Sequence, residues 1–266
     1  MRVVMTGAAG GVGTMTRPHL AGRFDELVAS DIREITDLQG GERFVQADLT
    51  DLAQMEALLE GADGVIHLGG HPVEGSWDDI LQRNIIGLYN TYEAARRQGC
   101  TRIVFATTNH VVGYYRRSQT IDHTALPRPD SRYGASKAFG EALGRMYADK
   151  HGLRVLNIRI GNVDHQPVDI RRLSIWVSPR DLAQLFEIGL THPEIHCEIV
   201  YGASRNARAW WDNANAYRLG YQPQDEAEDH AVEAHGASAP EDPITAQFHG
   251  GPFTAGEFTG DVKRID

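Results

Sequence analysis

Lysine is scarce in this chain: of 26 basic residues only Lys137, Lys150 and Lys263 are lysines, and the rest are arginines. Cysteine occurs twice, at Cys100 and Cys197, too seldom for a disulfide scaffold. Both are expected to be reduced thiols, with Cys100 lying between a helix and a strand. No apolar run approaches the roughly 20 residues of a membrane helix, and the first residues enter a strand-like segment with no basic region or cleavage site before it. The expectation is a cytoplasmic protein without a membrane partner. Net positive charge is also lacking: the formal charge of −10 argues against a nucleic-acid partner. A locally basic pocket is still compatible with that exterior, and Arg171-Arg172 is one place to look for it. Among 12 histidines, His192 and His196 are four apart, but Pro193 lies between them and no acid stands at a familiar ligand spacing. No metal is expected.

A chain of 266 residues can bury a substantial core. Short β-branched or apolar runs alternate with amphipathic stretches, the rhythm of a parallel sheet covered on both faces. Strands are expected at Arg2–Thr6, Glu26–Asp31, 43–47, 64–68, 102–107 and Arg154–Ile160. A long helix is expected over 77–98, with Ile80, Ile85, Leu88 and Tyr92 near one stripe, and a second from Ser131 to about Lys150. After Ile160 the texture becomes mixed, with a helix over 179–190 and a strand over 198–201. The stretch 224–243 is rich in Ala, His and acids, and is expected to be a surface helix or a loosely held segment. The fold class that follows is α/β, a Rossmann-type doubly wound parallel sheet with a small interleaved C-terminal lobe.

Two motifs carry chemistry. Thr6-Gly7-Ala-Ala-Gly10-Gly-Val-Gly13 falls between a strand and a helix, where glycines let backbone N–H groups of Gly7, Gly10, Gly11, Val12 and Gly13 approach a pyrophosphate at the helix's positive end. Asp31 closes the second strand, near where an acid accepts hydrogen bonds from an adenosine ribose. It would repel a 2′-phosphate and so favours NAD over NADP, although Arg33, next to Ile32, softens that preference. Asp48-Leu49 is placed to meet the adenine, and Leu68-Gly69-Gly70 ends the fourth strand beneath the cofactor.

The second motif is Ser131-Arg-Tyr-Gly-Ala-Ser-Lys137. With so few lysines, a Tyr and a Lys four apart would arise by accident roughly one time in ten, and on a helix they share one face. A phenol with an ordinary pKa near 10 must be shifted by about three units to act as a base at neutral pH. A lysine charge at about 4 Å is expected to supply about 4 kcal/mol of that. Tyr133 is thus the expected base and Lys137 its tuning partner. The third participant is expected at the end of the fifth strand, with Thr108 as the choice and Thr107 the competitor. Asn84 either holds a water linking Lys137 to solvent or is a buried amide satisfied by backbone.

Together these residues resemble the extended short-chain dehydrogenase/reductase superfamily, with Thr-Thr in place of its usual Ser-Ser pair. The likeness extends to Gly69-Gly70 followed by Val73-Glu74, to Asn84-Ile-Ile-Gly-Leu-Tyr-Asn90, and to Thr108-Asn-His-Val-Val-Gly-Tyr-Tyr115. Arg159-Ile-Gly161, Arg171 with Leu173-Ser174 and Trp176, and Trp210-Trp-Asp-Asn213 continue it. In these stretches the chain resembles the bacterial uronate dehydrogenases. The resemblance implies NAD-dependent oxidation of galacturonate or glucuronate at the anomeric carbon to an aldaro-lactone, which opens to the aldaric acid. It implies that Tyr133 removes the anomeric hydroxyl proton and Thr108 orients that hydroxyl. His71, Asn109 and His110 would contact the sugar, and Arg171 would hold the uronate carboxylate. Three positions depart from the pattern: Thr108 replaces a serine, Pro72 stands where a serine touches the sugar, and Asn162 replaces another serine-like contact. Residues 1–160 would then form the NAD-binding core and 161–266 mainly the substrate lobe of a single 1–266 unit, assembled into a homo-oligomer through its two long helices. A nucleotide-sugar epimerase or dehydratase and a non-catalytic NAD(P)-sensing regulator are the rival readings. About 105 residues after Ile160 are short for a nucleotide-binding lobe, and a sensor needs no tuned base.

Overall fold

The structure, a computed structural model, describes residues 1–265. Alternating apolar residues in the strands set its layers. In β1 (Arg2–Thr6), Val3 and Met5 point to one core and Val4 to the other. Next come α1 (Gly11–Leu20), β2 (Glu26–Asp31), β3 (Glu42–Gln46), α2 (Leu52–Leu59) and β4 (Gly64–His67). They are followed by α3 (Trp77–Ile80), α4 (Gly87–Gln98), β5 (Arg102–Thr108), α5 (Arg132–His151) and β6 (Arg154–Ile160). The short β7 (Asn162–Val163) pairs with β8 (Trp176–Val177), and α6 (Pro179–Thr191) leads to β9 (Cys197–Gly202). The main sheet has seven parallel strands in the order β3-β2-β1-β4-β5-β6-β9. Leu20 of α1 and Leu182, Leu185, Phe186 and Leu190 of α6 cover one face. Met55, Leu58 and Leu59 of α2, Leu88 and Tyr92 of α4 and Tyr147 of α5 cover the other. This is the doubly wound arrangement expected from the alternation of elements, and it leaves the carboxyl edges of β1, β4 and β5 side by side.

The strands lie within a residue or so of the expected bounds, and β5 runs on to include Thr108. The long helix departs from expectation: residues Leu81–Ile86 between α3 and α4 form a π-helix, whose one buried residue is Asn84. The wider turn turns this amide inward, where its Oδ1 accepts from the His71 N–H at 2.6 Å. Of the two alternatives expected for 224–243, the surface helix is the one present. A 3-10 turn at Ala227–His230 and a helix at Ala231–Ala237 bury Ala227 and Ala234 against Leu173 and Trp176. Small alanine side chains give little hydropathic periodicity even when they pack, which is why the pattern hid them. Beyond that stretch, Phe248 and His249 are fully buried. No helix among the described residues is long and apolar enough to cross a membrane.

Candidate active site

At the amino end, the turn after β1 lies directly against the end of β4. Gly7 adopts φ +68°, and a Cβ there would sit 2.7 Å from the Gly69 nitrogen; only glycine allows both the turn and the approach. Gly10 caps α1 without a side-chain acceptor, so the N–H groups of Gly11, Val12 and Gly13 begin the helix as free donors at its positive end. Asp31, at the end of β2, accepts from the Ala9 N–H at 3.1 Å and from the Arg33 N–H at 3.0 Å. The Arg33 guanidinium donates to the Ala9 carbonyl at 2.7 Å, and Ile32 beside it is exposed. Asp48 turns back on its own loop, accepting from the N–H and hydroxyl of Thr50 at 2.9 and 2.8 Å. Leu49 instead packs its side chain against Gly69 and Gly87. The Thr6 hydroxyl accepts from the Gly69 N–H at 3.3 Å and lies 2.9 Å from His67 Nδ1. Leu68-Gly69-Gly70 are thereby fastened across the β1 edge. Burial, helped by the Lys137 charge, pushes the His67 imidazole down to about 3, so it is neutral.

The Asn84 amide is well bonded within the protein. Besides the bond from His71 N–H, its Nδ2 donates to the His71 carbonyl and to the Ser136 hydroxyl, each at 3.1 Å. It thus joins the loop after β4 to α5.

Tyr133, Lys137 and Thr108 lie close together at the start of α5 and the end of β5. Ser131 caps α5 through the Gly134 N–H at 3.0 Å, and Glu74 accepts from the Tyr133 N–H at 2.9 Å. These two acceptors satisfy the first turn and fix the direction in which Tyr133 leaves the helix. Burial raises the Tyr133 phenol to about 12; a hydrogen bond with Thr108 opposes the rise, and the Asp130 charge adds to it. Burial holds Lys137 itself down at about 8, and its Nζ donates to the Ala106 carbonyl at 2.8 Å while lying 5.7 Å from the Tyr133 ring centre. Desolvation therefore outweighs the attraction expected of one nearby charge. The Thr107 hydroxyl instead donates at 3.1 Å to Glu141, which is paired with buried Arg159.

Further along, His110 Nδ1 lies 2.7 Å from the Asp130 carboxylate, and its ring packs 3.9 Å from that of Phe253. Asn109 is buried and its Nδ2 has no partner among the described residues; the same holds for Asn162 Oδ1 and Arg171 Nε. Arg171 donates through Nη2 to the His249 carbonyl at 2.6 Å and makes no ion pair among the described residues. Burial, with Arg117 and Arg172 nearby, lowers it to about 10. Gly251 backbone lies against the same guanidinium, so the segment from His249 to Phe253 links Arg171 to His110. His71 packs its ring on Gly75, and Pro72 is exposed in that loop.

Sequence reading missed Glu74, Asp130 and Phe253 as members of this group. Glu74 and Asp130 each sit inside or beside a quoted motif, so acidity there was a usable signal. Phe253 lies about 120 residues from Tyr133 in a stretch with no pattern, and only the fold brings it in. A cavity of about 900 Å³ touches Asp130 and Phe253 but neither Tyr133 nor Lys137, so the polar groups locate the site better than cavity size does.

The model of the NAD dependent epimerase/dehydratase family matches residues 3–164. The uronate dehydrogenase of Pseudomonas putida is 44% identical over 261 residues, covering 97% of each chain. The chain belongs to the uronate dehydrogenases of that family. Among solved structures, the glucuronic acid dehydrogenase of Chromohalobacter salexigens superposes with a TM-score of 0.92 at 44% identity, covering 96% of both chains. A tyrosine-to-alanine mutant of the Agrobacterium tumefaciens uronate dehydrogenase, complexed with NAD, gives a TM-score of 0.91 at 41% identity, over 96% of this chain and 97% of that one. The likeness to uronate dehydrogenases therefore spans the late elements that carry Arg171 and Phe253 as well as the sheet.

Proposed function

We propose that this chain oxidises D-galacturonate or D-glucuronate at the anomeric carbon, with NAD as acceptor, to an aldaro-lactone that opens to the aldaric acid. The observation that carries the reading is Arg171: a half-buried guanidinium whose Nε is enclosed and unpartnered and which makes no ion pair among the described residues, Asp169 and Glu241 acting on it only from beyond contact distance, in a chain of net charge −10. A partly desolvated cation with no carboxylate in contact is costly, and the planar carboxylate of a uronate answers it. Asn109 Nδ2 and Asn162 Oδ1, also unpartnered, offer a donor and an acceptor to sugar hydroxyls. His71, Pro72 and His110 would line the same end, with Pro72 giving shape but no hydrogen bond.

The residues at the β1, β2 and β4 edges fit a dinucleotide. The glycine turn leaves room for a pyrophosphate beside the open donors of Gly11, Val12 and Gly13, and Asp31 keeps lone pairs for ribose hydroxyls beyond those used by Ala9 and Arg33. Asp31 also disfavours a 2′-phosphate. Asp48, Leu49, Leu68, Gly69 and Gly70 would border the adenine and pyrophosphate, with Asn84 bracing the floor. Bound NAD supplies the hydride acceptor and a positive charge that favours the phenolate. Tyr133 Oη takes the proton of the anomeric hydroxyl, Thr108 orients that hydroxyl from the other side, and Lys137 holds the ribose side of the group and adds its charge. Residues 1–160 serve mainly the cofactor and 161–266 mainly the sugar, in a cytoplasmic homo-oligomer whose exposed Tyr89, Phe139 and Met146 on α4 and α5 form the contact face.

The test is to mix the protein with NAD and each uronate, alongside galactose and glucose, and to follow absorbance at the reduced-nicotinamide band. Rapid reduction with uronates alone is expected. Equal rates with the neutral sugars would remove the carboxylate from the reading, and no rate with any sugar would remove the reading itself.

A further inference from the structure

Asp130 is fully enclosed, with no side-chain exposure, yet no arginine or lysine pairs with it among the described residues. One oxygen accepts from the Ser131 hydroxyl at 2.7 Å. The other lies 2.7 Å from His110 Nδ1 and is closed in by two glycines: a Cβ at Gly113 or at Gly250 would overlap it. Backbone joins the same two residues, since the Asp130 N–H donates to the His110 carbonyl at 3.4 Å, and Gly250 N–H donates to the Gly113 carbonyl at 2.9 Å. Two segments more than 130 residues apart in sequence therefore shut on one carboxylate oxygen. Meanwhile the negative charge works against the base, because Asp130 pushes the Tyr133 phenol up. A buried carboxylate that opposes the reaction's proton acceptor must be placed there by some other requirement, and its one polar partner near the reacting groups is His110.

An ionised carboxylate only accepts hydrogen bonds, so the shared proton sits on His110 Nδ1. In its uncharged form the ring then presents Nε2 as a lone pair. With Nδ1 tied to Asp130 and one ring face packed on Phe253, the imidazole has little freedom to flip. We propose that Asp130 is a positioning residue that locks His110 in the Nδ1–H tautomer, so that Nε2 reads a uronate hydroxyl as a hydrogen-bond donor. This rests on the uronate reading above. It assigns polarity to the contact, and the Asp130 charge is what sets that polarity.

Proton–nitrogen spectra of isotope-labelled histidine rings test the tautomer directly, with His110→Gln used only to assign the His110 signal. Nδ1 is expected to carry the proton in the NAD-bound protein at neutral pH; an Nε2–H tautomer would overturn the proposal. Asp130→Asn keeps the shape but offers an amide N–H to Nδ1. It should move the ring proton to Nε2 and raise the uronate KM about tenfold or more, with kcat and the NAD dissociation constant changed only a few-fold. An unchanged KM with the proton moved would also overturn it. Should the protein oxidise no uronate, the functional reading fails on its own, and the ring spectrum still decides the tautomer.

Discussion

At the cofactor end, the groups that would face a dinucleotide come from short stretches and are already held by near neighbours: Asp31 by Ala9 and Arg33, Asp48 by Thr50, Gly69 by Thr6. At the sugar end, Asn109, Asn162 and Arg171 come from three separate segments and keep buried polar atoms with no partner among the described residues. A buried unsatisfied group costs about 1–3 kcal/mol, so this end gives up stability in exchange for readiness to bind. The contrast separates two ways of building a site. Backbone donors at strand and helix ends need little from the rest of the fold, whereas side chains that must match a sugar need it all. Tyr133 and Lys137 stand where the two ends meet.

If that division is sound, each variant should disturb one ligand and spare the other. The largest effect is expected for Tyr133→Phe, which should lower kcat by about 10²–10⁴-fold while NAD affinity measured by fluorescence titration hardly moves; ordinary turnover would remove Tyr133 as the base. Because burial holds this phenol at about 12, kcat/KM of the intact protein should climb as pH rises through neutrality. A flat profile would mean that phenol ionisation does not limit the rate. Arg171→Ala should come next, with a loss of about 2–5 kcal/mol in kcat/KM for uronates and none for NAD binding. An equal loss with glucose would show that the arginine holds the lobe and not the carboxylate. Asp31→Ser should weaken NAD about ten- to a hundredfold through the lost charge-assisted bonds and narrow the preference against NADP, leaving the uronate KM at saturating NAD unchanged. If that KM moved as well, the two ends would be coupled.

The smallest effect is one of stability. Lys137 is held at about 8 against an ordinary 10.5. Its folded-state value is lowered, so its charge destabilises the fold below pH 8, and the penalty disappears as pH rises from 8 towards 10.5. The full penalty is about 3 kcal/mol, and losing the bond to the Ala106 carbonyl offsets about 1–3 kcal/mol of any gain. Lys137→Met should therefore be inactive yet as stable as the parent, or about 1 kcal/mol more so, at pH 7, and less stable above pH 10, as read by denaturant unfolding. Destabilisation by the same amount at both pH values would show that the buried charge carries no penalty.

Much of the site was legible in the chain. The glycine turn, Asp31, Thr108 and the Tyr133–Lys137 spacing are local patterns, and strand periodicity puts them on one edge of one sheet. The π-helix at Leu81–Ile86 was not legible, since its residues read as ordinary helix until Asn84 is seen to bond His71 and Ser136. Nor was the packing of 224–243, where alanines do the contacting. At Tyr133 a charge four residues away can be read from the sequence, whereas the desolvation that raises the phenol cannot.

Sequence by itself determined the doubly wound sheet, the glycine turn at its edge and the placing of Tyr133 and Lys137 on one helix face, because these depend on short-range periodicity, on missing side chains and on residues one helical turn apart. Tertiary structure alone decided that Phe253 packs on His110, that Asp130 is enclosed between Gly113 and Gly250, that Arg171 sits half-buried with no carboxylate in contact, and that burial pushes Tyr133 up. Each of those follows from burial and from contacts between distant segments, and neither exists until the chain has folded.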